Sequence, residues 1–104
     1  MKSGLNALET LEAMTQKKVT LGNFLWSIRK CEEMTQAEFA ILIGVSTQYL
    51  CDIENGRRIV SPKLAAEFAQ KLGYSPVQFV RLAVQDQLNG QGLSYDVRLL
   101  KKAA

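Results

Sequence analysis

Residues 34–58 read MTQAEFAILIGVSTQYLCDIENGRR, and this stretch predicts two short helices with a tight turn between them. Thr35 can cap the first helix, because its hydroxyl can accept a hydrogen bond from a free backbone amide, and Glu38 three residues later completes a capping box. Gly44 is predicted to end this helix, since glycine adopts a left-handed backbone at little cost.

The second helix of this stretch is predicted to begin after Ser46 and to end at Asn55, with Gly56 just beyond it as a glycine cap. The link between the two helices is about two residues long, which is too short to reverse the direction of the chain. We therefore expect the two helices to cross at a steep angle.

This second helix is predicted to turn one side toward a core and to leave a polar side exposed. At about 100° per residue, Tyr49, Ile53 and Arg57 fall on the inward side. The outward side carries small or polar side chains, with Thr47 at its margin: Gln48, Cys51, Asp52 and Asn55. Amide and hydroxyl groups on an exposed helix suit the major groove of DNA, where a glutamine can bond two edge atoms of one adenine.

Basic side chains follow this helix. Residues 55–66 contain Arg57, Arg58 and Lys63 and no acidic residue, whereas the whole chain carries a net charge of only +3. Phosphates border the major groove, so cations and helix amino termini should lie beside a reading helix rather than on it. The three cations and the amide of Gln36 are placed for this role. The pattern therefore predicts binding to double-stranded DNA.

Three more helices are predicted around this pair. Thr20 is a good cap for the first of them, and Ser61 and Ser75 are good caps for the other two. Each of these two serines precedes a proline, which suits the first helical position. The predicted helices cover about residues 21–31, 62–72 and 76–88.

Both chain ends are predicted to lie outside this DNA-binding domain, which spans residues 20–89. Residues 1–19 form an N-terminal extension in which leucines at three-residue spacing favour a short helix. Within the C-terminal residues 90–104, apolar and polar side chains alternate from Leu93 to Leu99, which favours a β-strand. A lone strand leaves its edges unpaired, so we expect it to pair with the same segment of a second copy. The residues predicted to make this dimer contact are Leu93, Tyr95, Val97 and Leu99.

The composition conflicts with several classes of function. The chain has 104 residues, of which 47% are hydrophobic, as expected of one globular domain. It has no histidine, which excludes Ser-His-Asp and Cys-His catalytic sites, and its two cysteines alone cannot form a zinc site. We therefore predict that the protein is not an enzyme and uses no metal or cofactor. The chain has no signal-like start, so Cys31 and Cys51 are predicted to be reduced and the protein to be cytoplasmic. No apolar run reaches the ~20 residues that a membrane span needs, so we expect no membrane partner.

Residues 28–58, IRKCEEMTQAEFAILIGVSTQYLCDIENGRR, resemble the helix-turn-helix of the XRE family, which includes the phage Cro and CI repressors. The resemblance lies in the arginine of the first helix, the Thr-Gln pair, the Gly-Val-Ser turn and the Glu-Asn-Gly end, and it covers roughly residues 21–88. It implies an all-α fold, the five-helix lambda-repressor-like domain. It also implies a buried ion pair between Arg29 and Glu54, which would set how the reading helix is presented.

The resemblance and the residue pattern together give a set of site residues. Base reading is assigned to Thr47, Gln48, Cys51 and Asp52. Of these, Cys51 could lie against a thymine methyl group, and Asp52 either accepts from a cytosine amine or caps the helix locally. Phosphate binding is assigned to Gln36, Ser46, Asn55, Arg57, Arg58 and Lys63.

We therefore expect a transcriptional regulator, most simply a repressor, that acts as a homodimer on a two-fold operator. The same family includes small antitoxins that repress their own operon and hold a toxin, so a toxin protein is an alternative partner. A module that kept the fold but lost DNA binding is a further alternative, because Glu32, Glu33 and Asp52 lie near the presumed DNA side.

Overall fold

Five helices lie within residues 19–102, the part of the chain that the computed structural model describes. They are α1 (Leu21–Cys31), α2 (Gln36–Ile43), α3 (Thr47–Glu54), α4 (Pro62–Leu72) and α5 (Pro76–Gly90). The all-α fold predicted from the sequence is confirmed, whereas the helix predicted in the N-terminal extension falls outside the described residues. In this part of the chain, no helix combines the length and the apolar character that crossing a membrane requires.

Each helix begins at the serine or threonine that the sequence predicts as its cap. The cap hydroxyl accepts from a nearby backbone N–H at Thr20 (3.0 Å), Thr35 (3.1 Å), Ser46 (3.0 Å), Ser61 (3.2 Å) and Ser75 (3.5 Å). At Thr35 the capping box is complete, because the Glu38 carboxylate accepts from the Thr35 N–H at 3.0 Å. The backbone bond and then the hydroxyl bond of Thr35 lower the pKa of Glu38. Local sequence therefore fixes where the helices begin.

The turn between α2 and α3 spans residues 44–46 and depends on Gly44. This glycine has a φ of 79°, and its N–H donates to the Ala40 carbonyl at 2.9 Å. The Lys71 ammonium of α4 donates to the Ile43 carbonyl at 3.3 Å and so closes the end of α2. A side chain at position 44 would be strained by the positive φ and would displace the Lys71 Nζ from its present position. The predicted glycine stop is confirmed.

Large apolar side chains from all five helices form the core. Among them, Phe24 of α1 and Phe79 of α5 have ring centroids 5.1 Å apart, with a tilt of 59° between the rings. Aromatic pairs in such tilted arrangements add about 0.5–1.5 kcal/mol beyond the burial of their area. Leu50 and Ile53 are the buried residues of α3, so they anchor that short helix to the core.

The backbones of α1 and α3 approach closely at Gly22. This glycine is buried in the first turn of α1, and a Cβ there would overlap the carbonyl oxygen of Ile53 in α3. The start of α1 is also tied to α5, because the Leu21 N–H donates to Asp86 Oδ2 at 3.0 Å. Burial raises the pKa of Asp86, and this hydrogen bond offsets part of the rise. The place of α3 is thus set by contact with the backbone of α1.

The segment that follows α5 is not a strand in the structure, in contrast to the β-strand predicted over residues 93–99. Gly92, with a φ of 74°, turns the chain back along α5. The buried side chain of Gln85 then takes the place of a strand partner: its Nε2 donates to the Tyr95 carbonyl at 2.6 Å, and its Oε1 accepts from the Val97 N–H at 2.8 Å. A side-chain amide therefore holds this segment to α5 within a single chain.

Candidate functional site

The outer side of α3 is formed by the residues that the sequence assigns to base reading. Leu50 and Ile53 lie on the inner side, where both are almost fully buried. The outer side carries Thr47 and Gln48, which are exposed, and Cys51 and Asp52, which are half-buried. Because Ser46 caps the helix, the exposed pair lies in its first turn. The helix therefore offers short polar side chains to an approaching molecule.

A hydrogen-bonded chain joins three of the assigned residues. Asp52 Oδ1 accepts from Gln48 Nε2 at 3.0 Å and from Arg57 Nε at 3.0 Å. The bond from Arg57 and then the bond from Gln48 lower the pKa of the Asp52 carboxyl. The same bond with Asp52 raises the pKa of Arg57. The carboxylate therefore stays ionised at neutral pH, and it links a predicted base reader to a predicted phosphate ligand.

Arg57 lies outside the core, which corrects its predicted place on the inward side of the helix. Its side chain is 57% exposed. The helix ends at Glu54, and Gly56, with a φ of 76°, turns the chain before Arg57 is reached. The Arg57 N–H then donates to the Asp52 carbonyl at 2.8 Å. This turn brings the guanidinium beside the outer side of α3.

Cys51 and Asn55 meet at the end of the same side. Asn55 Nδ2 donates to the Cys51 carbonyl at 2.8 Å and lies 3.4 Å from the Cys51 Sγ, and Arg57 Nη2 lies 3.6 Å from that sulfur. The thiol of Cys51 is free, as is that of Cys31. Over residues 19–102, no group of three or more cysteine or acidic side chains is arranged to hold a metal ion.

Two further cations were assigned to phosphate binding, and the structure places them differently. The Arg58 guanidinium lies over the Tyr49 ring, 4.5 Å from its centroid, and a cation–π contact of this kind holds an exposed arginine in place. Lys63 is exposed in the first turn of α4 and stands apart from the bonded chain. Arg57 and Arg58 therefore place positive charge next to the exposed residues of α3.

The ion pair implied by the resemblance lies beneath the site. Arg29 Nε and Nη2 donate to the two carboxylate oxygens of Glu54 at 2.8 and 2.9 Å, and the side chains are only 8% and 3% exposed. Arg29 Nη1 also donates to the Met34 carbonyl at 3.0 Å, and Gln36 Nε2 donates to Glu54 Oε1 at 3.0 Å. Gln36, assigned to a phosphate, thus turns part of its amide inward and supports the end of α3.

Sequence reasoning missed three residues that position this surface. Gly22 lets α1 approach α3, and a glycine in the first turn of a helix is the only sequence signal for it. Tyr49 was expected inside, but it packs at the edge of the core and supports Arg58. Gln85 holds the C-terminal segment, and it carries no signal, since a glutamine within a helix is ordinarily exposed.

Comparisons with known proteins agree with this geometry. The family model described as Helix-turn-helix matches residues 27–79. The chain is 38% identical over 60 residues to the antitoxin PezA of Streptococcus pneumoniae serotype 4, a match that covers 58% of this chain and 38% of that antitoxin. It is 37% identical over 67 residues to y4dJ of Sinorhizobium fredii, named an uncharacterized HTH-type transcriptional regulator, with 64% of this chain and 86% of that protein covered. No solved structure gives a significant match.

Proposed function

Since the chain belongs to the helix-turn-helix family, of the XRE type, we propose that it is a transcriptional regulator that binds double-stranded DNA in a sequence-specific way and represses by occupying a promoter. The observation that carries the proposal is the outer side of α3, where Gln48 and Thr47 stand exposed on a helix that is anchored through Leu50 and Ile53. An α-helix fits the major groove, and amide and hydroxyl groups match the edges of the bases.

Phosphate contacts are the second part of the proposal. Arg57 is fixed by Asp52, and Arg58 is fixed by the Tyr49 ring, so both guanidiniums are partly ordered before DNA arrives. Each guanidinium has five N–H donors, so donors remain for phosphate oxygens after these contacts are made. Lys63 extends the positive charge onto α4. Ordered cations beside an exposed helix support binding at the groove rather than elsewhere on the surface.

A dimer formed through the C-terminal segment fits a two-fold operator with half-sites about one helical turn, ~34 Å, apart. Gln85 holds the backbone of this segment, yet the large side chains of the segment stay exposed. Tyr95 is 65% exposed and Leu100 is 92% exposed. Exposed apolar side chains on an ordered segment favour contact with a second copy.

The dimer proposal is tested by the mass in solution. Tyr95→Lys leaves the backbone bonds to Gln85 possible and is expected to convert a dimer into a monomer in sedimentation experiments. Ile41→Lys is the matched control, since Ile41 is 81% exposed but lies on α2. Truncation after Asn89 is expected to give a monomer as well. A truncated chain that remains dimeric would refute this interface.

Selection from a random pool tests DNA reading. The purified chain is mixed at low ionic strength with duplexes of random sequence, and the bound fraction is sequenced. We expect enrichment of one two-fold sequence and a weaker affinity of Gln48→Ala for it, by ~1–3 kcal/mol, with little change on random DNA. If no duplex is retained, the proposal fails and the alternative of a protein-interaction module is favoured.

The antitoxin function is the second candidate, and the similarity to an antitoxin favours it. The match covers only 38% of that relative, so toxin binding by this chain is a proposal. An antitoxin would repress its own operon through α3 and hold a toxin through another surface. Expression of the neighbouring reading frame with and without this chain tests it. Growth arrest that this chain relieves would support an antitoxin, and unhindered growth in both cases would exclude it.

A further inference from the structure

We propose that Asp52 reads no base itself but fixes the side-chain amide of Gln48 in the orientation that selects adenine over guanine. The inference rests on the proposed function, because it concerns how α3 reads DNA. The contact that carries it is the hydrogen bond of 3.0 Å from Gln48 Nε2 to Asp52 Oδ1. Residues four apart on a helix lie on the same side, so this bond needs no change of backbone.

The chemistry of a carboxylate decides which way round the amide lies. An ionised carboxylate can only accept hydrogen bonds, so the nitrogen of the Gln48 amide, and not its oxygen, must lie toward Asp52. Arg57 donates to the same carboxylate oxygen at 3.0 Å, which keeps the carboxylate charged and holds it in place. The amide oxygen of Gln48 is therefore left for a ligand. Without an acceptor oxygen held at this place by Arg57, either end of the Gln48 amide could turn toward residue 52.

The fixed amide matches one purine and not the other. A primary amide has two N–H donors and one carbonyl acceptor. When one N–H is used on Asp52, Gln48 keeps one donor and one acceptor, the pair that suits N7 and the N6 amine of adenine. Guanine presents two acceptors, N7 and O6, so it would need the N–H that Asp52 already holds. Asp52 thus lowers the affinity for guanine at the base position that Gln48 contacts.

Asp52 is poorly suited to read a base directly. Its side chain is 23% exposed, compared with 57% for Arg57. Gln48 and Arg57 both donate to Oδ1, so two neighbouring side chains of this surface hold the carboxylate in place. A negative charge that contacted the groove alone would also be repelled by the phosphates, whereas Arg57 offsets that charge here. We therefore treat Asp52 as a positioning residue.

The test measures base preferences of four chains: wild type, Gln48→Ala, Asp52→Ala and the double variant. Each is mixed with the same pool of random duplexes at fixed salt, and the bound sequences are counted at each position. The base that Gln48 contacts is the position whose preference Gln48→Ala removes. There, Asp52→Ala is expected to lower the preference for adenine over guanine roughly tenfold, in line with one good bidentate contact. In the Gln48→Ala background, Asp52→Ala is expected to change no base preference.

Asp52→Asn separates orientation from charge. Arg57 can only donate, so it keeps the oxygen of the new amide at the place of Oδ1, where this oxygen can also accept from Gln48. The variant is therefore expected to retain most of the preference for adenine. It loses the same charge as Asp52→Ala, so both variants are expected to bind all duplexes more tightly to a similar degree. If Asp52→Asn and Asp52→Ala lose the preference equally, charge rather than orientation is responsible and the inference is overturned.

Other results distinguish this inference from the proposed function. A wild type that enriches no sequence refutes the proposed function itself. A wild type that enriches a sequence, with an Asp52→Ala variant that keeps the same preferences, overturns only the role of Asp52. The inference is also overturned if Asp52→Ala removes a base preference in the Gln48→Ala background, or removes the preference at a base position that Gln48 does not contact. Either result would mean that Asp52 reads a base directly.

Discussion

Removal of one partner from the buried Arg29–Glu54 pair should destabilise the fold strongly. The Glu54 carboxylate accepts two bonds from Arg29, at 2.8 and 2.9 Å, and the side chains are 8% and 3% exposed for Arg29 and Glu54. Glu54→Leu removes both acceptors and leaves the guanidinium with the Met34 carbonyl as its remaining partner. An uncompensated charge of this kind costs ~3–5 kcal/mol. That is a large part of the ~5–15 kcal/mol by which a typical domain is stable.

The double variant Arg29→Met with Glu54→Leu separates this charge effect from simple loss of packing. Apolar side chains of similar volume often replace a buried pair at little cost, although the Met34 carbonyl then loses its partner at ~1–3 kcal/mol. The Gln36 amide also loses Glu54, but it is only half-buried and can bond to water instead. We therefore expect the double variant to be more stable than either single one. Urea unfolding followed by far-UV circular dichroism measures all four chains. Glu67→Leu, at an exposed position of α4, is the control and should change stability by no more than about 0.5 kcal/mol.

Two outcomes would refute this reasoning. The first is a cost below about 1 kcal/mol for Glu54→Leu, since a buried charge that loses its partner cannot be so cheap. The second is additive costs of the two single variants, because residues that share a salt bridge should be coupled.

Three further changes have definite expected results. Gly22→Ala should destabilise the fold by ~1–3 kcal/mol in urea unfolding, because the new methyl group would overlap the Ile53 carbonyl, and an unchanged midpoint would contradict that close approach. Arg58→Ala should weaken binding to all duplexes alike and reduce the slope of log affinity against log salt by about one unit, whereas an unchanged slope would exclude a phosphate contact. Asp86→Asn concerns pH: burial raises the pKa of Asp86 above its ordinary 3.8, so the folded state binds a proton more readily than the unfolded state. Wild type should therefore gain stability relative to Asp86→Asn as the pH falls from the raised pKa toward 3.8, and a difference independent of pH would contradict the burial of this carboxyl.

The helix starts were predictable from the sequence because the signals for them are local. Thr35 and Glu38 stand at the spacing of a capping box, and both of its bonds are present in the structure. Ser61 and Ser75, each followed by proline, set the starts of α4 and α5 in the same way. A cap acts within one turn, so no knowledge of the rest of the fold is needed.

The contacts that position α3 were not predictable, because they join residues that are distant along the chain. A glycine at position 22 becomes informative only when the Ile53 carbonyl is seen beside it. Arg57 was misplaced because a helical wheel continues past the end of a helix, whereas the backbone turns at Gly56. The expected β-strand is absent from the single chain for a related reason, since the amide of Gln85 meets the backbone of the segment whose alternation predicts a strand.

The side chains on the outer side of α3 were identified correctly as a group, but the bonds among them were not. Periodicity gives the direction of Gln48 and Asp52 from the helix axis. It does not give the rotamers that bring the amide and the carboxylate to 3.0 Å, nor the return of Arg57 to the same oxygen. The sequence therefore predicts which surface is offered to a ligand, and the structure adds how its donors and acceptors are arranged.

A titration of the enriched duplex into the protein, followed through backbone amide signals by NMR, reports which side of the molecule meets DNA. We expect the largest changes in residues 46–58 and at the start of α2, with small changes in α5. Large changes in α5 or in residues 93–102, together with unperturbed signals in α3, would contradict the claim that the outer side of α3 reads the bases.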